Sequence, residues 1–179
     1  VGISFYTFQS MSYTIDIYRK TLVPARFLDF FFYVASFPQL VAGPIVRAGQ
    51  FLPQLERPLH ENVRLSGVFY VFYGLIKKLF VANILATEIV DPIFANASSF
   101  STLDLYFGVV CYAFQIFFDF SAYSDIAIGL GRLIGLDLPV NFLSPYLASN
   151  PREFWKRWHI SLSTWIRDYV YFPLGGSRL

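Results

Sequence analysis

The sequence predicts an all-α, multi-pass membrane domain, and two observations carry that prediction. Of the 179 residues, 55% are hydrophobic and 20% are aromatic, whereas only 15% are charged, and the mean hydropathy is +0.49. The apolar residues form long blocks instead of alternating with polar ones, which is the pattern that lipid-exposed helices require. The blocks follow one another without repeats or low-complexity linkers, so we expect residues 1–179 to form a single multi-helix domain.

Charge and motif content exclude several classes of function. The formal net charge of +2 is too small to indicate a nucleic-acid partner, and the scattered basic residues are typical of anchors at a lipid interface. The sequence has no Cys/His cluster, Walker loop or dinucleotide fingerprint, so we expect no bound metal and no ATP or NAD chemistry. Cys111 lies inside an apolar block and is expected to be a small buried hydrophobe.

A nearly continuous apolar block covers residues 27–41 and is closed by Gly43 and Pro44. Its length fits either a short span or a re-entrant segment. Residues 43–61 carry several prolines and mixed charge, which predicts a loop with short helical pieces. We expect His60, within this loop, to be solvated.

Residues 66–90 are long enough to cross a bilayer, but Lys77 and Lys78 fall near the middle of the segment. Insertion scales place the cost of a lysine at the centre of a membrane helix at about 2.5–3.5 kcal/mol. Two shorter helices that meet at an interface, or a kink that faces a cavity, would accommodate both lysines.

Residues 103–120 form a cleaner candidate span. Ser101 or Thr102 can cap the N-terminus of this helix. Asp104 then lies in the first turn, where a carboxylate complements the helix dipole. We expect this segment to be a transmembrane helix.

Asp119 and Asp125 lie in an apolar segment that is rich in small residues. Carboxylates in such a segment face protein, water or a pore. Small residues let helices approach closely, and Asp125 shares a helical face with Arg132, seven residues later. We interpret Asp119, Asp125 and Arg132 as a structural polar node between packed helices and not as a catalytic group.

Residues 138–146 predict an irregular connector, after which Asn150 and Pro151 are typical of an N-cap followed by the first helical residue. We expect this helix to run to about Asp168. Three- and four-residue spacing then places one set of side chains on a single helical face. That set is Arg152, Trp155, Lys156, His159, Ser163 and Ile166.

His159 is the candidate catalytic residue. Imidazole is suited to accept a proton from a hydroxyl near neutral pH, and a partly desolvated pocket walled by the flanking tryptophans would keep it neutral. The residues alone support a purely interfacial role in an aromatic belt equally well. Ser161 and Ser163 are expected to be backbone-bonded or packing residues.

Four segments match sequence motifs of a known protein family. They are residues 2–9 together with Tyr13 and Asp16, residues 37–44, residues 118–125 and residues 153–163. Together they resemble the membrane-bound O-acyltransferase family, in the bacterial branch typified by the alginate O-acetyltransferase membrane subunit. The resemblance covers essentially the whole chain, and segment 153–163 is its signature.

The resemblance implies a multi-pass protein of the bacterial inner membrane, with re-entrant or interfacial helices around a central tunnel that contains His159. It implies transfer of an acyl group, acetyl first among the candidates, from a donor such as acetyl-coenzyme A, with no prosthetic group. The implied acceptor is a hydroxyl of an extracytoplasmic polysaccharide such as alginate, reached with a separate periplasmic acetyltransferase partner. Supporting residues that match motif positions are Arg152, Glu153, Trp155, Trp158 and Arg167.

The family carries a further histidine downstream, in a Trp-His-Gly type segment that this sequence does not reach. Together with a first residue other than methionine, this predicts that residues 1–179 are a partial domain that lacks N- and C-terminal parts. The second active-site histidine would then lie outside these residues.

A hypothesis of another class is a non-catalytic membrane scaffold, or a path for ions or solutes, that docks a separate extracytoplasmic enzyme. In that case Lys77, Asp119, Asp125 and His159 would line a polar path. This hypothesis predicts inverted structural repeats, and the sequence shows none.

Overall fold

The computed structural model describes residues 2–39, 43–56 and 63–176, and these ranges contain helices and turns but no strand. The all-α prediction is therefore confirmed. The expectation for His60 lies outside the described residues. The helices are α1 (Gly2–Tyr18), α2 (Phe27–Ala35), α3 (Ala48–Leu55), α4 (Ser66–Ala95), α5 (Thr102–Leu133), α6 (Pro151–Arg157) and α7 (Ile160–Ile166).

Helix α2 accounts for most of the first apolar block. Its nine residues, Phe27–Ala35, rise roughly 14 Å, which is about half of a hydrocarbon core. A single 3₁₀ turn, Phe37–Gln39, follows it. The described part of this block is thus too short to cross a bilayer as one helix, and of the two alternatives it favours the re-entrant segment.

The loop after this block is anchored by buried polar contacts. The Tyr33 hydroxyl donates to the carbonyl of Val46 at 2.8 Å, and the Gln39 amide donates to the carbonyl of Tyr33 at 2.6 Å. Residues 43–47 form no regular secondary structure, and α3 follows with Pro53 inside it. The prediction of a loop with short helical pieces is confirmed for residues 43–56.

Helix α4 is continuous over 30 residues, so the prediction of two shorter helices is wrong. Its backbone widens into π-type turns at Lys77–Ala82 and Leu85–Val90 without breaking. The physical reason is that both lysines find partners on α5. Lys77 Nζ lies 2.6 Å from Asp125 Oδ2, and Lys78 pairs with Asp119.

Helix α5 is longer than predicted, because it continues through the segment of small residues to Leu133. Ser101 caps its N-terminus by accepting from the Asp104 N–H, and the Asp104 carboxylate accepts from the Ser101 N–H in a capping box, as the sequence indicates. Cys111 is buried, as expected. Within the described residues, α4 and α5 are the two helices that are long and apolar enough to cross a membrane by length and composition.

Small residues bring α4 and α5 into close contact. A Cβ atom added at Gly74 would lie 2.7 Å from the Ala122 carbonyl oxygen, and one at Gly129 would lie 2.7 Å from the Gly67 carbonyl oxygen. Real Cβ atoms do not approach this closely, so both positions require glycine if the helices are to keep their separation. The predicted role of the small residues is confirmed.

A buried apolar cluster joins the C-terminal end of α5 to the N-terminal third of the chain. Tyr33 and Phe51 pack with tilted rings at 5.3 Å between centroids, and both are fully buried. This cluster holds the 43–47 loop against α5 and its connector. Its buried members are Tyr33, Val46, Ala48, Phe51, Ala127, Ile128, Leu136 and Leu138.

Lys77 and Asp125 form an ion pair in which removal of one partner should destabilise the fold, because the other charge is left buried and unpaired. Their side chains are only 12% and 18% exposed. Asp125→Leu in the full-length protein should lower the free energy of unfolding by about 3–5 kcal/mol, because it leaves an unpaired lysine. The double variant Lys77→Met with Asp125→Leu should recover most of this loss, measured as the midpoint of thermal unfolding in detergent.

Arg64 and Asp137 offer the matched control, since this pair is about half exposed on both sides. Asp137→Asn should cost about 0–1 kcal/mol. Equal destabilisation by Asp125→Leu and Asp137→Asn would contradict the assignment of the first pair to a desolvated helix interface.

Substitution of Gly74 should separate α4 from α5. We expect Gly74→Ala to lower the free energy of unfolding by roughly 1–3 kcal/mol, because the new methyl group meets helix backbone. Gly49→Ala in α3 is the control, since nothing lies within 4 Å of its added Cβ, and it should stabilise by up to about 1 kcal/mol. Thermal unfolding of both variants in the full-length protein checks this, and an unchanged midpoint for Gly74→Ala would refute it.

Candidate active site around His159

The candidate site is built at a break between two helices. Helix α6 ends at Arg157 and α7 begins at Ile160, and His159 between them has φ 45° and ψ 54°, in the left-handed region. The predicted continuous helix from Pro151 to about Asp168 is therefore wrong. The shared face predicted for Arg152, Trp155, Lys156, His159, Ser163 and Ile166 does not exist.

The connector between α5 and α6 causes the break, because it takes the hydrogen bonds that a continuous helix would use. The Leu143 N–H donates to the carbonyl of Arg157 at 3.0 Å, and the Ile160 N–H donates to the carbonyl of Asn141 at 3.0 Å. The Ser161 N–H donates to the Asn141 side chain at 3.1 Å instead of to Arg157. These bonds outweigh the local preference for helix.

His159 is a partly buried imidazole with two described neighbours. The ring of Phe120 meets it edge-on at 4.8 Å between centroids, and Nδ1 lies 3.3 Å from Asn141 Oδ1. Burial lowers the pKa of His159 from 6.5 to about 4, because desolvation penalises the imidazolium. The ring is therefore neutral at physiological pH and able to accept a proton.

Asn141 organises the site, although the sequence analysis identified it only as part of the irregular connector. Its side chain is fully buried, and its Oδ1 accepts from the Ser161 hydroxyl at 2.7 Å. Its Nδ2 lies 3.3 Å from the Ser124 hydroxyl on α5. An asparagine between apolar residues must find buried partners, and that signal could have identified it.

Ser161 extends the same network to the 43–47 loop. Its hydroxyl accepts from the Ile45 N–H at 2.9 Å while it donates to Asn141. Ser163 donates to the carbonyl of Trp158 at 3.3 Å. The prediction of a backbone-bonded or packing role holds for both serines, and Ser161 additionally ties three segments together.

The two tryptophans beside His159 have different environments. Trp158 packs against Phe142 at 5.2 Å and stacks on Phe154 at 5.6 Å between centroids. Trp155 is 59% exposed, so it forms no pocket wall within the described residues. Trp158 lies inside the aromatic cluster next to the helix break, whereas Trp155 touches its rim through an edge-on contact with Phe154 at 5.4 Å between centroids.

Glu153 and Arg157 brace the start and end of α6. Asn150 caps the helix by accepting from the Glu153 N–H at 2.9 Å, as predicted. The Glu153 carboxylate accepts from the Ser149 hydroxyl and N–H and pairs with Arg157. The bonds from Ser149 hold the pKa of Glu153 below its usual range. Arg152 is exposed at the first turn.

Arg167 takes part in a second polar cluster. Its Nε donates to Asp168 Oδ1 at 2.7 Å, and Arg47 donates to Asp168 Oδ2 at 2.7 Å. The bonds from Arg167, and then those from Arg47, hold the pKa of Asp168 below its ordinary value. Tyr169 donates to Asp16 Oδ2 at 2.7 Å, which ties α1 to the end of α7. Sequence reasoning identified Arg167 and Asp16 but missed their partners.

The three residues of the predicted polar node do not form one contact group. Asp119 and Asp125 pair with the lysines of α4, whereas the guanidinium of Arg132 lies 4.2 Å from the ring centroid of Tyr70. All three link α5 to α4. In the part of the chain that the structure describes, no group of three His, Cys, Asp or Glu side chains is arranged to hold a metal ion.

Comparison with known proteins identifies the family. The sequence model of the membrane-bound O-acyltransferase family matches residues 3–179. The chain belongs to this family. The resemblance expected from segments such as 153–163 is thereby confirmed.

This member of the membrane-bound O-acyltransferase family is similar to curated proteins of several bacteria. It is 47% identical to the probable alginate O-acetylase AlgI of Azotobacter vinelandii over 180 residues, which cover 99% of this chain and 36% of the relative. It is 36% identical to the peptidoglycan O-acetyltransferase of Helicobacter pylori, over 100% of this chain and 39% of the relative. It is 32% identical to the teichoic acid D-alanyltransferase of Streptococcus thermophilus, over 97% of this chain and 44% of the relative. The chain thus spans well under half the length of these relatives.

The depressed pKa of His159 predicts a pH-dependent stability for this acyltransferase-family domain. Between pH 6.5 and about 4 the unfolded chain binds a proton at this histidine while the folded protein does not, so stability falls as pH falls through that window. The loss is at most about 3 kcal/mol, from 1.36 kcal/mol per pKa unit.

His159→Asn is the matched comparison, because asparagine tolerates a positive φ and does not titrate. The difference in unfolding midpoint between the full-length parent and this variant should shrink or reverse as pH falls from 6.5 to 4. A difference that stays constant across this window would show that His159 is not desolvated in the folded state.

Proposed function

We propose that the whole protein is a multi-pass inner-membrane O-acyltransferase in which His159 acts as the general base or as a proton relay. Acetyl is the acyl group that we propose, and the donor is an acyl-coenzyme A such as acetyl-coenzyme A. Residues 1–179 then form one partial domain of the enzyme around a central tunnel. The observation that carries this proposal is a neutral, partly buried imidazole held at a helix break inside the family's signature segment.

The chemistry follows from the state of this imidazole. A neutral ring nitrogen accepts the proton of the acceptor hydroxyl while that oxygen attacks the thioester carbonyl of the donor. The carbon–sulfur bond breaks, the new carbon–oxygen bond remains, and the imidazolium returns the proton to the departing thiolate. The histidine is regenerated without a metal or a prosthetic group.

Five residues support this site in the proposal. Glu153 orients α6 through its cap and its pair with Arg157, and Arg167 orients the end of α7 through Asp168. Trp158 packs the break, while Arg152 and Trp155 present charge and an aromatic surface at the exposed side of α6.

The acceptor is inferred from the relatives, whose names refer to alginate, peptidoglycan and teichoic acid. All three are polymers with hydroxyl groups outside the cytoplasm. Of these three relatives the alginate O-acetylase shares 47% identity, against 36% and 32% for the other two, so we propose a hydroxyl-bearing extracytoplasmic polysaccharide such as alginate, with a separate periplasmic acetyltransferase as partner. The alternative of a scaffold or ion path is less well supported, because Lys77 and Lys78 are each paired with a carboxylate.

Substitution of His159 tests the proposal in cells that express the full-length protein. We expect His159→Ala and His159→Gly to abolish acetylation of extracellular polysaccharide at matched membrane abundance, because the proton acceptor is lost. Glycine is included because it relieves the positive φ, so loss of activity in both variants separates chemistry from backbone strain.

Lys156→Ala is the control for a nearby change on an exposed surface of α6, and it should keep most of the acetylation. Normal acetylation by either His159 variant would assign the histidine an architectural role. It would also place the chemistry outside these residues.

A further inference from the structure

The orientation of the Asn141 side-chain amide is fixed by its neighbours. The atom that faces the Ser161 backbone N–H at 3.1 Å must be the carbonyl oxygen, because a backbone N–H only donates. The amide nitrogen then points to the Ser124 hydroxyl at 3.3 Å, which can accept from it. The side chain is fully buried, so no solvent competes for these bonds.

This orientation determines which nitrogen of His159 carries the proton. Nδ1 lies 3.3 Å from the same Asn141 oxygen, and an amide oxygen only accepts. Nδ1 must therefore be the donor. A neutral imidazole carries one proton, so the lone pair of the ring lies on Nε2.

We propose that Asn141 is a positioning residue that holds His159 in its Nδ1–H tautomer and thereby makes Nε2 the basic nitrogen. The functional consequence rests on the proposed acyl transfer, whereas the tautomer itself can be measured without it. Asn141 acts through His159 and needs no contact with substrate.

Asn141 is suited to this role because its backbone and its side chain both bind the first turn of α7, directly after His159. Its carbonyl accepts from Ile160 at 3.0 Å, and its Oδ1 accepts from Ser161. The two residues that follow His159 are thus bonded to Asn141, and the ring of Phe120 packs against the imidazole at 4.8 Å between centroids. One residue sets both the place of the imidazole and its protonation pattern.

Three carboxylates on the neighbouring elements are engaged in ion pairs, and Arg152 and Lys156 of α6 are exposed. On α5, Asp125 pairs with Lys77 and Asp119 pairs with Lys78. On α6, Glu153 pairs with Arg157. In the described structure the imidazole contacts the ring of Phe120 and the neutral amide of Asn141. A charge introduced at position 141 would therefore act directly on the protonation of His159.

The tautomer can be read from the full-length protein by nitrogen-15 NMR of its labelled histidine side chains in detergent at neutral pH. The His159 signals are assigned by their disappearance in His159→Asn. We expect a protonated Nδ1 and an unprotonated Nε2. A protonated Nε2 would overturn the proposal whether or not any variant of Asn141 folds.

Two variants of Asn141 test its control over His159. Asn141→Asp keeps the acceptor and adds a negative charge, so the titration midpoint of His159 should rise by about one pKa unit or more. Asn141→Leu removes the acceptor, so the ring should populate both tautomers and acetyl transfer should fall by about 10–100-fold. An unchanged His159 titration in Asn141→Asp would show that the residue is merely structural.

Ser161→Ala is the matched control, because it removes one bond to Asn141 and leaves the contact with His159. It should keep the tautomer and the titration midpoint of the parent. A tautomer change in this variant as large as in Asn141→Leu would overturn the assignment to Asn141.

The two proposals fail in distinguishable ways. If His159→Ala keeps acetyl transfer while the Nδ1–H tautomer is observed, the proposed function fails and the role of Asn141 in setting the tautomer stands. If transfer requires His159 but the proton lies on Nε2, only this inference fails.

Discussion

The hydrogen bonds of Asn141 are the interaction on which the candidate site depends. They connect the end of α5, the connector and the start of α7, and through Ser161 they reach the 43–47 loop. Each of these bonds is buried, so each would cost about 1–3 kcal/mol if one partner were left unsatisfied. The network therefore resists rearrangement. The position of His159 is a consequence of these bonds and not of helix geometry.

Pairing of charge is the second constraint, and it explains how an apolar chain keeps lysines inside a long helix. Lys77 and Lys78 are adjacent on α4, and their partners Asp125 and Asp119 lie six residues apart on α5. The π-type turn begins at Lys77, where the wider backbone changes the direction of successive side chains. Close contact at Gly74 keeps the two backbones near enough for both pairs to form.

Helix caps, which depend on neighbouring residues, were predicted from the sequence. The continuity of α4 and the helix break at His159 depend on residues far away in the chain, and both were missed. The caps at Ser101 and Asn150 follow from local hydrogen-bonding rules, and both were predicted correctly. The continuity of α4 was missed because partners 48 and 41 residues away stabilise its lysines. The break at His159 was missed because it requires backbone bonds from the connector. Periodicity indicates which residues share a helix, but not where another segment interrupts it.

The left-handed backbone at His159 links the fold to the chemistry. Glycine or asparagine occupies this conformation more easily than histidine, for which it costs on the order of 1–2 kcal/mol. Backbone preference therefore does not account for an imidazole at this position. Burial keeps the ring neutral by opposing protonation. A strained and desolvated histidine, braced by bonds from three segments, has the features of a preorganised proton acceptor, because such costs are typical of residues whose side chain has a chemical task.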